Sequence, residues 1–178
     1  MSQLLFTALV LAVGVERLVE LALSKRHAAW AFSRGGEEFG RGHFPAMVVL
    51  HTALLVGAVA EVWMLGRPFL PILGCTALAV VIASQSLRWW CIATLGRQWN
   101  TRVIVVPGLP LVSRGPYRLL RHPNYVAVVF EGAALPLVHS AWATAGVFTV
   151  LNAALLTRRI QVENRALATV AGEGAALR

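Results

Sequence analysis

Side chains able to do chemistry gather between residues 97 and 125, where Arg97, Arg102, Arg114, Arg118 and Arg121 alternate with Trp99, Tyr117, His122 and Tyr125. Prolines 107, 110, 116 and 123 forbid a continuous helix through this stretch. The β-branched run 103–106 favours extended backbone. In Arg121-His122-Pro123-Asn124-Tyr125 the residue before proline avoids the α region. His122 is therefore expected to be extended, with a helix opening at Pro123, its favoured first position. Free N–H groups at that helix start, beside Arg118 and Arg121, make an anion site by geometry. The competing reading is that these arginines touch lipid phosphates.

A second pattern is Arg158-Arg159-Ile160-Gln161-Val162-Glu163-Asn164-Arg165. Arg159 and Glu163 are four apart, hence neighbours on one helical face. A solvated ion pair is the ordinary outcome, but their level beside the connector suggests a site. Glu131 lies in an apolar stretch, where an ionised carboxylate facing lipid costs roughly 2–3 kcal/mol. It is expected to face the bundle interior, protonated or paired with a cation from the third helix or from a ligand. His51 and Gln85 are expected to be interhelical hydrogen-bond partners. Glu16, Arg17 and Glu20 read as a mutually paired, snorkelling interfacial cluster. An interfacial belt explains most of Trp89, Trp90, Trp99, Tyr117 and Tyr125, and Arg88 with them, although aromatic walls would also suit a cation or an adenine ring.

The elements that must position these residues follow from composition. Of 178 residues 57% are hydrophobic and only 13% charged, against about a quarter charged in soluble domains. Mean hydropathy is +0.67. The net charge of +8, with one lysine and no aspartate, sits on a chain with almost no polar surface, so nucleic acid is set aside as a partner and the lipid bilayer is preferred. Cys75 and Cys91 offer neither a disulfide framework nor metal spacing. Apolar stretches at 3–23, 45–65 and 69–95 each approach the length of a span, and 124–157 reads as a short hairpin broken near Pro136, Val138, His139 and Ser140. The expected fold is an all-α integral membrane protein of about five transmembrane helices, the last two a helical hairpin, joined by an extended connector. Residues 1–178 are expected to form one membrane domain, with a three-helix part (1–95) followed by connector, hairpin and C-terminal helix (96–178). Arg and Lys crowd the segments after the first and third helices and the tail. That places the C-terminus and the connector in the cytoplasm and the N-terminus outside the cytoplasmic membrane. Met1-Ser2-Gln3 lacks a basic region and a cleavage site, so the first helix reads as an anchor.

The combination Gly115-Pro116-Tyr117-Arg118, Arg121-His122-Pro123-Asn124-Tyr125, a hairpin, then Arg159-Ile160 with Glu163 resembles the isoprenylcysteine carboxyl methyltransferase family, integral membrane enzymes that use S-adenosyl-L-methionine. The likeness covers roughly residues 85–170. It implies that Leu109, Pro110, Leu111 and Val112 contact the cofactor and that Tyr117 makes an aromatic contact. His122, Pro123, Asn124 and Tyr125 would line its pocket. Glu163 would bind the cofactor, and Arg159 would stand toward the acidic group of the substrate. Asn164 departs from the second acidic residue the family often carries, and Ala127 stands where glycine is common.

Methyl transfer from a sulfonium is an in-line displacement requiring alignment and exclusion of water. The expected arrangement has Arg121 and the helix start holding the cofactor carboxylate, Glu163 its ammonium and Arg159 the acceptor oxygen, with Glu131, from its depth in the bundle, a further substrate-side candidate. A carboxylate or acidic enol needs no strong base, whereas a protonated amine does, and His122 is the nearby candidate. The expected activity is O-methylation of a lipid-like or prenylated acceptor, such as an isoprenylcysteine carboxylate or an alkylpyrone. Phospholipid N-methylation and a non-enzymatic scaffold or transporter subunit stand as alternatives.

Overall fold

The computed structural model describes residues 1–176. Helix α1 spans Gln3–Phe32, strand β1 Glu37–Phe39, α2 His43–Met64 and α3 Pro71–Leu95. After a 3-10 turn at Gly96–Gln98 come strand β2, Val103–Val105, and a second 3-10 turn at Gly115–Arg118. The hairpin helices are α4, Pro123–Leu137, and α5, Trp142–Ala176. The described chain is thus mostly helical, and the expected helix pattern holds with two differences.

The first difference is the length of α1, which begins where Ser2 Oγ accepts the Leu5 amide (3.2 Å) but continues past residue 23. Its inner end is held by the connector: Ser24 Oγ bonds Asn100 Oδ1 and Thr101 Oγ1 at 2.7 Å each, and His27 Nδ1 meets the Trp99 carbonyl at 2.8 Å. The second difference lies in the glycine-rich stretch 34–42, expected to be loop. Its residues Glu37–Phe39 pair antiparallel with β2 in the register Glu37–Val105, Glu38–Ile104, Phe39–Val103. Extended backbone needs partners for its N–H and C=O groups, and this segment supplies them to the β-branched run.

α2 and α3 are long and apolar enough to cross a membrane. Leu4, Leu11 and Leu18 of α1, Val49 and Val56 of α2, and Val147 and Val150 of α5 are exposed, a continuous apolar exterior of the kind that marks contact with lipid. Inside, Phe6, Val10, Val62, Val81, Leu135 and Val138 belong to one buried cluster drawn from α1, α2, α3 and α4. The hairpin packs closely because position 132 is glycine: a Cβ there would lie 1.9 Å from Phe148 Cε1. The start of α5 is capped across the bundle by Glu61 of α2, which accepts the amides of Ala143 (3.1 Å) and Thr144 (2.7 Å) and the Thr144 hydroxyl (2.8 Å). A carboxylate suits the positive end of a helix.

Candidate functional site

The connector folds over the C-terminal end of α1, the start of α4 and the second half of α5 and encloses with them a cavity of about 660 Å³. That volume lies within the range of small-molecule and cofactor sites, roughly 300–1,000 Å³. Of the residues expected from sequence, Leu109, Leu111, Val112, Tyr117, Arg121, His122, Asn124, Tyr125, Arg159 and Glu163 line this one cavity. Pro110, Pro123 and Glu131 do not. Pro123 is buried as the first residue of α4, where it fixes the turn that presents its neighbours.

Five polar side chains form a chain along the wall. Buried Arg159 donates from Nε to Tyr125 Oη (2.9 Å), and the Tyr125 hydroxyl donates to Glu163 Oε2. Glu163 Oε1 pairs with His122 Nδ1 at 3.6 Å, while His122 Nε2 meets Asn164 Oδ1 at 3.1 Å. In place of the solvated ion pair that spacing alone would give, Arg159 and Glu163 are bridged by the tyrosine, and both line the cavity. One turn of α5 brings both to the same face, and the phenol inserted from α4 takes the space between them. The His122 and Tyr125 rings stack with centroids 5.4 Å apart, and the Arg159 guanidinium lies 5.6 Å over the Tyr125 ring.

Electrostatics follow from these contacts. Burial pushes the Glu163 carboxyl up, but the hydrogen bonds from His122 and Tyr125 and the nearby positive charges outweigh it and hold it below its ordinary value. The His122–Glu163 hydrogen bond raises the imidazole above its ordinary value, against burial and Arg121. Burial, with the Cys91 thiol beside it, raises the Tyr117 phenol far above its ordinary value, so it is a neutral wall.

Arg159 uses its other nitrogens unequally. Nη2 donates to the Thr101 carbonyl at 2.6 Å, whereas Nη1 faces Met47 Sδ at 2.9 Å. A thioether is a weak acceptor, so this N–H is the one most open to exchange. Thr101 and Met47 escaped the sequence reading because a backbone carbonyl has no residue signature and Met47 is one apolar residue among many. Trp30 of α1 and Trp99 also line the cavity. Two buried atoms of lining residues, Trp99 Nε1 and Asn124 Oδ1, have no hydrogen-bond partner among the described residues.

Several expectations are corrected. His122, the N-cap of α4, lies outside the helical region but is not fully extended (φ −133°, ψ 61°). Its carbonyl accepts the amides of Tyr125 and Val126 at 3.1 and 3.4 Å, and Pro123 has no N–H. The anion site expected from this helix start therefore keeps at most the Asn124 amide beside Arg121. Arg88 is not a belt residue but fully enclosed, bonding Glu131 Oε2 at 2.6 Å and approaching Glu20 Oε1 at 3.6 Å. Arg17 reaches Glu20 (2.8 Å), Glu131 (3.1 Å) and Gln85 Oε1 (2.7 Å). Glu131 is thus paired inside the bundle with cations of α3 and α1, and the Glu16–Arg17–Glu20 group is the rim of that network, not a snorkelling cluster. Gln85 is interhelical as expected, whereas His51 Nδ1 turns back to the Met47 carbonyl of its own helix (2.8 Å). Of the aromatics, Trp89 and Trp90 remain exposed as a belt, while Trp99 and Tyr125 are buried.

Residues 77–169 match the isoprenylcysteine carboxyl methyltransferase (ICMT) family. The chain is also 35% identical over 164 residues to the uncharacterized protein YpbQ of Bacillus subtilis, a match spanning 92% of this chain and 96% of that one.

Proposed function

The chain belongs to the isoprenylcysteine carboxyl methyltransferase family of membrane methyltransferases, and on that premise we propose that it is an S-adenosylmethionine-dependent O-methyltransferase acting on an acidic oxygen of a lipid-like acceptor. The observation that carries this reading is the Arg159–Tyr125–Glu163–His122 chain on the wall of one cavity of about 660 Å³.

The cavity suits the cofactor in three respects. It offers a carboxylate held ionised, Glu163, for an ammonium. It offers an exposed guanidinium, Arg121, with the Asn124 amide for a carboxylate. Its aromatic walls, Tyr117, Tyr125 and Trp99, and the unpartnered Trp99 Nε1 and Asn124 Oδ1 suit a purine-bearing molecule. S-adenosylmethionine, when bound, supplies an electrophilic methyl group on a sulfonium.

The protein's own residues do the rest. Leu109, Leu111 and Val112 cover the cavity and exclude water, and Pro110 and Pro123 stiffen the backbone that carries their neighbours. Arg159 orients the acceptor oxygen by giving up the Met47 contact at Nη1 while keeping Tyr125 and Thr101. His122, held toward its protonated form by Glu163, is a poor proton acceptor. An acceptor already ionised near neutral pH needs none, which favours an oxygen over an ammonium. The acceptor's tail stays in the bilayer, since withdrawing it costs about 0.8 kcal/mol per CH₂. In this reading the C-terminus and the cavity are cytoplasmic and the N-terminus is outside, as the distribution of arginines suggests. The whole chain acts as one membrane domain.

The test is calorimetric titration of S-adenosylmethionine into detergent-solubilised protein. It is paired with mass spectrometry of lipid extracts incubated with cofactor and protein, reading the gain of a methylene unit. Wild type binds and transfers, Glu163→Ala loses binding while remaining folded, and Arg159→Ala binds but does not transfer. Absence of binding by wild type discards the cofactor, unchanged affinity of Glu163→Ala discards its role, and normal transfer by Arg159→Ala discards the acceptor role.

A further inference from the structure

The 3-10 turn at Gly115–Arg118 is seated at a known depth. A Cβ at Gly115 would lie 2.7 Å from Thr94 Oγ1 and 3.3 Å from Trp90 Nε1, and φ there is +57°, so only glycine allows the turn to press against the end of α3. α3 is among the helices able to cross a membrane. Its 25 residues rise about 37 Å at 1.5 Å each, longer than a hydrocarbon core of about 30 Å. Its last two turns, with the half-exposed Trp89 and Trp90, therefore fall at headgroup level, where tryptophan is favoured.

What the turn presents at that depth is apolar and left uncovered by the described residues. Leu119 is 79% exposed and Leu120 43%. They are not on a loose tail: both amides return to the Pro116 carbonyl, at 3.2 and 3.1 Å. Arg114 and Arg118 beside them are exposed, and neither side chain makes an ion pair or hydrogen bond among the described residues. A rigid turn with two leucines outward and two uncommitted guanidiniums beside them is costly in water and suited to one surface, an apolar layer under anionic phosphates.

We infer that the segment 114–120 is a second, peripheral membrane anchor, in which Leu119 and Leu120 enter the leaflet on the connector's side and Arg114 and Arg118 bind anionic lipid headgroups. This is independent of the methyltransferase reading. Because the same connector roofs the cavity, the lipid composition of that leaflet sets how firmly the roof is held.

The test places a nitroxide at Leu119→Cys in a Cys75→Ser background, Cys91 being buried. Full-length protein is reconstituted in vesicles of phosphatidylcholine alone or with phosphatidylglycerol, and collision with oxygen and with a nickel chelate is measured. The expected result is immersion in the anionic vesicles and markedly greater nickel accessibility in the neutral ones. Two arginines near an anionic surface shift the docked-to-free ratio by about 30-fold, and Arg114→Gln with Arg118→Gln removes that difference. An aqueous signature in both vesicles overturns the anchor. Equal immersion in both, or no change in the arginine variant, overturns the anionic recognition.

Discussion

Tyr125→Phe tests the polar chain of the cavity at its narrowest link, because a single hydroxyl serves both Arg159 and Glu163. Ring volume and the stack on His122 are preserved. Arg159 Nε, buried, loses its acceptor, and a hydrogen bond to a charged group contributes about 1.5–3 kcal/mol. Glu163 also loses a donor, but its side chain is 28% exposed, so water replaces much of that bond. The Thr101 contact of Arg159 remains. The sum is about 2–3 kcal/mol, which for a chain of this length corresponds to a fall in Tm of about 4–12 °C. Glu163 is freed to move, so S-adenosylmethionine affinity falls about tenfold, the effect of losing about 1.4 kcal/mol of preorganisation. Differential scanning fluorimetry and titration calorimetry on one detergent preparation read both quantities. A variant with wild-type Tm and wild-type affinity refutes the claim that the tyrosine holds the two charged residues in place.

Stability should also follow pH through the His122–Glu163 pair. The histidine value is raised from 6.5 by its hydrogen bond to Glu163, so its contribution is complete below 6.5 and is lost as pH rises through the folded value. The Glu163 value is lowered from 4.5, so its contribution is present above 4.5 and lost as pH falls through the folded value. Tm measured across this range is expected to be highest between those limits and to decline on the alkaline side, with His122→Asn flattening that decline. Glu131→Gln leaves Arg88 and Arg17 short of a counter-charge in the bundle interior. It is expected to destabilise the fold by about 3 kcal/mol in thermal unfolding while leaving cofactor affinity unchanged, and weakened binding by the folded variant would reinstate Glu131 as a site residue. Gly132→Ala forces a methyl into the Phe148 ring and is expected to cost more than 2 kcal/mol, read as loss of folded protein on size-exclusion chromatography.

Much of the architecture was legible in the residues alone. Uninterrupted apolar stretches, proline at the first position of α4, and the break near Pro136 marked five helices, because these signals act within a few residues of where they occur. The gathering of Tyr117, His122, Tyr125, Arg159 and Glu163 was equally readable, through motif spacing and the resemblance it carried. Long-range partnership was not. Glu37–Phe39 carries no strand signal of its own and is extended because β2 lies beside it. Glu61 carries no local signal of its role, yet it caps α5 more than eighty positions away. Arg88 reads as a boundary cation because tryptophans follow it, whereas the packing of α1, α3 and α4 encloses it with Glu131 and Glu20. Sequence determined which backbone segments are helical and which side chains are chemically competent. Only the tertiary structure decided which charges meet, since pairing in a bundle depends on the rotation and depth of each helix, quantities that no single segment encodes.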